Sequence, residues 1–346
     1  MHTKPPKKLL IMNILDILET HTDENHTLTQ KEIVEILESK YDMAVDRKAV
    51  KRNLLNLIDL GYNIEYTEAV RINKKGEEES LYTDWYMERA FSDSELRLLI
   101  DSLLFSKHIP HSQCKELIEK LSGLSNKYFK SRVNYISMIS SDMPENKQLF
   151  YTIDVLDEAM TGGKQVSFYY NEYGSDKVMH PRKNNEGKIR EYIINPYQIA
   201  ATNGRYYLIC NLDKYNDVSN YRVDRITNIA MLDTPVKPMG QVKGLENGLN
   251  LPKHMAEHLY MFTGESAPVT FRAKKYLITD LLDWFGKDIH FLDENEDETT
   301  ARVMVNLDAM RKWALQYALH IKILTPKKLV EAVREDVMRA AEIYKE

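Results

Sequence analysis

The periodicity of this chain changes at Gln165. In the stretch just before it, from about residue 92, apolar residues recur at helical spacing; from Gln165 to residue 232 they come in short strand-like runs broken by turn signals. VSFYY (166–170), YIINPYQIAA (192–201), RYYLIC (205–210), NYRV (220–223) and TNIAML (227–232) read as strands. NNEG at 184–187, TNG at 202–204 and KYND at 214–217 separate them. Five short strands in about seventy residues leave few solutions: a small, strongly bent barrel or sandwich.

Charge also collects here. The chain as a whole carries −5, so no general basic field marks it as a nucleic-acid binder. Residues 164–226 nevertheless hold ten Lys/Arg against seven Asp/Glu. Arg222, Asp224 and Arg225 sit in what reads as one core strand, and arginines in a core need something negative to meet them. Asp224 can pair with either arginine and cannot neutralise both. Alternation places Arg222 with Asp224, and Arg225 on the opposite face with Val223. Arg222 is then the expected anion ligand and Arg225 the expected structural residue. On the preceding strand, Arg205, Tyr207 and Ile209 share one face, and Tyr206, Leu208 and Cys210 the other.

The first ninety residues have a different grammar. Leu9, Ile11, Met12, Ile14, Leu15 and Leu18 line a first helix. Thr29 and Glu32 form a capping box for a second, with Ile33, Ile36 and Leu37 as its buried stripe. Asp46 caps a third that stops at Gly61. Arg47, Lys48, Lys51 and Arg52 share one face of its first two turns, while Val50, Leu54 and Leu57 point to a core. Two strands around a charged turn follow, with Lys74 and Lys75 at the tip. Helix, helix, basic helix, hairpin is the order of a winged helix-turn-helix. Its third helix enters a major groove and its hairpin tip adds phosphate contacts. A solvated basic face is the plainer alternative.

Between these regions, Ser92 and Glu95 start a helix carrying Leu96, Ile100 and Leu103. A second carries Cys114, Leu117 and Leu121, and a third, after Pro144, carries Leu149, Ile153 and Leu156. They read as connectors whose apolar faces can also support a dimer. Beyond a linker at PVKPMG (235–240), strands and helices alternate as βαββαβ plus a final helix capped by Thr325, with Pro326 at its first position. That order is ferredoxin-like, and Asp293 to Glu298 is its exposed hairpin tip.

The strand region resembles the WYL domain of bacterial transcription regulators. Pro196-Tyr197, Gly204-Arg205, Tyr206-Tyr207-Leu208 and Tyr221-Arg222-Val223-Asp224-Arg225-Ile226 carry the likeness, and Tyr170 matches the family's tyrosine on strand one. Tyr206 stands where the family has Trp. The resemblance implies an Sm-like barrel behind a winged helix, with a basic pocket that senses nucleotides or short nucleic acids. Matched by motif, the pocket residues are Tyr170, Tyr207, Arg222 and Arg225. His180, Arg182 and Arg190 join them from the connection before the second strand. The C-terminal part resembles the extension that often follows WYL domains and helps assemble the dimer.

The expected organisation is therefore α+β and multidomain. It comprises a winged helix-turn-helix (1–90), a helical linker (91–147), a small Sm-like β-barrel (148–234) and a ferredoxin-like extension (241–346). The expected function is a dimeric transcription regulator that binds double-stranded operator DNA and senses a nucleotide or single-stranded nucleic acid. A nucleic-acid-binding accessory module without operator specificity is the alternative. No enzyme activity, cofactor or metal is expected. The one contrary signal is His254-Met255-Ala256-Glu257-His258, an H-x-x-E-H zinc-hydrolase pattern with Glu335 downstream, set in a domain too small for that fold. No apolar run approaches the roughly 18 residues of a membrane helix. Asp16 and Glu19 interrupt the basic, apolar start, which is not read as a signal peptide. Cys114 and Cys210 make no metal or redox spacing, which fits a cytoplasmic protein with reduced thiols.

Overall fold

The structure is a computed structural model that describes residues 7–72, 76, 78–106, 108–133 and 146–345. The chain divides into two compact units, residues 1–142 and 143–346. No helix among the described residues is long and apolar enough to cross a membrane.

The first unit opens with α1 (Leu10–His21), α2 (Gln30–Tyr41) and α3 (Arg47–Asp59), followed by the antiparallel hairpin β1 (Ile64–Ile72) and β2 (Glu78–Met87). The Thr29/Glu32 capping box and the Asp46 cap both form as the sequence predicts. Leu28 pairs with Trp85, so the segment before α2 is tied to the hairpin by a single-residue bridge. Trp85 is fully buried against Ile14, Ile17, Leu18, Ile33, Val50 and Leu54. One reading needs correction. Leu9 and Met12 are exposed, and Leu10 and Ile17 are buried in their place, because the helix starts at Leu10 and turns a different stripe inward. Helices α4 (Asp93–Leu104), α5 (His111–Ser122) and α6 (Lys127–Val133) complete the unit. Ser92 and Glu95 cap α4 reciprocally. Arg89 Nη2 donates to the carbonyls of Glu19 and Thr22, and Asn126 donates to Asp23, which fastens these helices to α1.

The second unit begins with α7 (Leu149–Gly162) and a β region: β3 (Lys164–Tyr173), β4 (Met179–Pro181), β5 (Glu191–Thr202), β6 (Arg205–Leu212), β7 (Val218–Arg222) and β8 (Ile226–Pro235). The strands follow the order β8-β3-β5-β6-β7, with the short β4 also on β3. Asn203 and Gly204 both have positive φ between paired Thr202 and Arg205, the two-residue hairpin that fits the right-handed twist of the strands. Among the described residues the expected Sm-like barrel does not close: β7 pairs only with β6, and β8 only with β3. The reason lies between them. Tyr221 to Ile226 is not one strand, since a 3₁₀ turn at Val223–Arg225 ends β7 and redirects the chain into β8.

Inside this sheet runs a buried polar chain. Gln165 Nε2 donates to Asn195 Oδ1 and to Asp213, and Asn195 Nδ2 donates to Asn211 Oδ1. Asn195 and Asn211 are fully buried, and such groups are tolerated only when hydrogen-bonded. The chain continues into the segment read as a linker. Lys237 N–H donates to Asn195 Oδ1, and the Tyr197 hydroxyl donates to the Lys237 carbonyl. Burial pushes that hydroxyl's pKa up to about 12.

After α8 (Leu251–Glu257) come β9 (Ser266–Lys274), α9 (Ile278–Phe285), β10 (His290–Glu294), β11 (Glu298–Asn306), α10 (Leu307–Gln316), β12 (Ile321–Thr325) and α11 (Lys327–Ile343). The antiparallel order β10-β11-β9-β12 is that of a ferredoxin-like layer, with Phe271, Phe285 and Trp313 at the centre of its core. Asn295 to Asp297 form the predicted tip between β10 and β11. At α11 the predicted cap shifts by one: Pro326 is the N-cap residue, without a side-chain cap, and Thr325 closes β12.

Candidate functional site

The 3₁₀ turn at Val223–Arg225 organises the main candidate site. Buried Asn146 donates to the carbonyls of Asp224 and Ile226. Asn171, also buried, donates to the carbonyl of Arg225 and to the Thr227 hydroxyl. These bonds satisfy backbone acceptors that leave the sheet ladder at the turn. The bend brings Arg222 and Asp224 into a bidentate pair, with Nε–Oδ1 at 3.0 Å and Nη2–Oδ2 at 2.5 Å. Both side chains are largely buried, 14% and 8% exposed, so this is not a solvent-screened surface contact.

Asp224 is thereby occupied by one arginine. Among the described residues Arg225 and Arg205 each hold a buried Nε with no hydrogen-bond partner, and neither makes an ion pair. The Arg225 guanidinium lies 5.7 Å from the centre of the Tyr173 ring. Burial raises the pKa of the Tyr173 hydroxyl, and Asp224, Arg222, Arg225 and Arg205 all act on it electrostatically. Three guanidinium groups and a single carboxylate thus act on the same tyrosine hydroxyl. Tyr170 belongs to the same place. Its hydroxyl accepts from the Arg222 N–H at 3.2 Å, and burial raises its pKa while Arg225 and Arg222 oppose the rise. Tyr207 is directly opposite Arg222 in the β6–β7 register.

Of the residues expected from sequence, the structure brings Tyr170, Tyr207, Arg222 and Arg225 together. Arg182 lies over the Tyr170 ring, 5.1 Å from its centre, and pairs with Glu172. Arg190 lies 4.5 Å over Tyr192. Tyr170 and Tyr192 form an aromatic cluster with Phe168 and Tyr221, so Arg182 and Arg190 flank that cluster. His180 is not in a simple connection but on β4, where it pairs with exposed Asp176 at 2.7 Å. Arg205, Tyr173, Asn146 and Asn171 were not expected. Strand alternation already put Arg205 on the face of Tyr207, but only the fold shows that its charge reaches Tyr173.

The basic face of α3 is built differently. Arg47, Lys48 and Arg52 are exposed and make no ion pair among the described residues. Lys51 is half-buried, with Nζ 3.8 Å from the centre of the Tyr82 ring on β2. It therefore ties the helix to the hairpin as well as carrying charge. Lys74 and Lys75 lie outside the described residues.

The H-x-x-E-H pattern does not assemble a metal site. The rings of His254 and His258 stack 4.0 Å apart, His258 Nδ1 is 2.8 Å from the His254 carbonyl, and Glu257 pairs with Lys253. Burial, with His258 beside it, pushes the His254 pKa down to about 4. Among the described residues no group of three or more His, Cys, Asp or Glu side chains gathers to hold a metal.

No curated protein matches the chain. Among solved structures it is similar to proteasome accessory factor B/C (PafBC) of Arthrobacter aurescens, at 14% identity and a TM-score of 0.30. That match covers 99% of this chain and 50% of the other, so the chain spans about half the length of that relative. It is also similar to a structure described as a CRISPR Cas-related protein, at 14% identity and a TM-score of 0.38, covering 96% of this chain and 85% of that one. Overlaps this loose do not establish a shared arrangement. Residues 151–231, however, match the family model of the WYL domain. The arginine cluster therefore lies within the stretch of the chain that matches the WYL domain.

Proposed function

We propose that the protein is a DNA-binding transcription regulator whose WYL domain senses an anionic ligand, a nucleotide or short single-stranded nucleic acid. The observation that carries this reading is the charge imbalance at the 3₁₀ turn: three arginines, one carboxylate, and two buried Nε groups without partners. A phosphate supplies the missing acceptors, since guanidinium binds it bidentately, and the Tyr207 and Tyr173 rings offer faces for a base. In this reading Arg225 and Arg205 take the ligand directly, and Arg222 joins once the ligand competes with Asp224. The three helices and hairpin of the first unit act as a winged helix-turn-helix, with Arg47, Lys48 and Arg52 as the reading face and Lys51 as its brace. The exposed apolar side chains Leu98 and Phe105, at and just beyond α4, support the dimer that a palindromic operator needs. Ligand binding regulates DNA binding only if the two conformations bind it unequally.

The test has two arms. Recovery of DNA bound by the protein across a genome yields a shared sequence if the regulator reading holds; uniform recovery supports an accessory nucleic-acid binder instead. Fluorescence anisotropy with a 5′-phosphorylated oligonucleotide of four bases then tests the pocket. Binding that survives unchanged in an Arg205→Ala/Arg225→Ala variant removes it.

A further inference from the structure

A cavity whose lining includes no residue of the arginine cluster lies between α8 and the outer face of the C-terminal sheet. It measures about 570 Å³, within the roughly 300–1,000 Å³ of ordinary small-molecule sites. Pro252 and Ala256 on α8, Pro268 on β9, Phe285 at the end of α9 and Met304 on β11 give it apolar walls. Its charged groups are Arg302, His290, Asp288, Lys253 and Glu257. We propose that this cavity binds a small organic monoanion with an apolar body, such as an aryl carboxylate or sulfonate.

The charges select that class. His290 and Arg302 stand directly opposite each other in the β10–β11 register, an arrangement that is unfavourable when both are charged unless an anion sits between them. Arg302 makes one hydrogen bond, from Nε to Thr270 Oγ1 at 3.3 Å, and neither it nor His290 makes an ion pair among the described residues. Lys253 and Glu257 are already paired with each other at 3.8 Å. Asp288 shares the cavity without an ion pair among the described residues, and with Glu257 it repels a second negative charge. Multiply charged nucleotides are thus disfavoured here, whereas the arginine cluster suits them. The apolar walls then hold the body of the ligand, whose burial provides the main affinity.

Helix α8 links the cavity to the strands of the preceding sheet. Leu251 and Met255 of that helix pack with Ala200, Ile209 and Tyr207 of the WYL sheet, while Pro252 and Ala256 face the cavity. One helix is therefore the wall of both neighbourhoods.

The probe is 1-anilinonaphthalene-8-sulfonate, a fluorescent aryl sulfonate, titrated onto the full chain at neutral pH. One saturable site per chain is expected. Arg302→Met should weaken it at least tenfold, Ala256→Phe should abolish it by filling the cavity, and Asp288→Asn should not weaken it. Arg205→Ala/Arg225→Ala should leave it unchanged, which separates this site from the WYL pocket. No saturable binding by the wild-type chain overturns the proposal. So does equal binding by Arg302→Met, an exposed substitution whose melting temperature is checked alongside.

Discussion

On α3, Arg47, Lys48 and Arg52 stand exposed without ion pairs among the described residues, whereas Arg205, Arg222 and Arg225 are each partly buried and only Arg222 is paired with a carboxylate. The first arrangement keeps its charges hydrated and mobile. It suits a long polyanion, whose binding is driven by counterion release and falls steeply with salt. The second fixes guanidinium planes in a poorly hydrated place, where each unfilled donor is unfavourable until an acceptor arrives. It suits a small ligand whose phosphate geometry matches. In the proposed reading the same number of cationic side chains serves two chemistries, and the degree of burial decides which.

That contrast can be attacked from both ends. The largest effect is expected from Asp224→Asn, which removes the partner of a largely buried guanidinium. Chemical denaturation should show a loss of about 3 kcal/mol, together with tighter oligonucleotide binding because Arg222 is released. Unchanged stability would place the pair with screened surface contacts. Next comes Arg47→Ala/Arg52→Ala. Operator affinity should fall about a hundredfold and the salt slope of binding should shrink by about 2, with the melting temperature unaltered. A slope that stays the same would mean these residues never meet phosphate.

Arg225→Ala should weaken the 5′-phosphorylated oligonucleotide about tenfold while leaving unfolding almost untouched, since one charge-assisted bond contributes about 1.5–3 kcal/mol. The reverse pattern, lost stability with intact binding, would make Arg225 structural, as strand alternation suggested. The smallest effect belongs to Lys51→Ala. Its contact with Tyr82 is worth about 0.5–1 kcal/mol of hairpin attachment. DNA binding should therefore drop less than for Arg47→Ala, and Lys51→Arg, which keeps a cation over the ring, should restore it.

Signals that act within a few residues were legible in the sequence. The Thr29/Glu32 and Ser92/Glu95 boxes, the Asn203-Gly204 turn and the βαββαβ order all form where local chemistry put them. The 3₁₀ turn was not legible. Tyr221 to Ile226 obeys period-two alternation well enough to pass for a strand, and the residues that stabilise the bend are Asn146 and Asn171, distant in the chain. Once the strand ends at Arg222, alternation no longer separates Arg222 from Arg225. Tyr173 and Arg205 needed the same long-range information. For α1 the error was a rotation: a helix rich in apolar residues offers several stripes, and only packing against Trp85 selects one.

The polar chain from Gln165 through Asn195 to Lys237 has a practical consequence for dividing the molecule. Composition marks 235–240 as the natural place to cut. A cut there would strip Asn195 of one donor and Tyr197 of its acceptor, leaving polar groups orphaned in both fragments. The two halves of the second unit are therefore poor modules for grafting. A chimaera that exchanges one of them should place its boundary ahead of α7, so that the sheet and its C-terminal partner travel together.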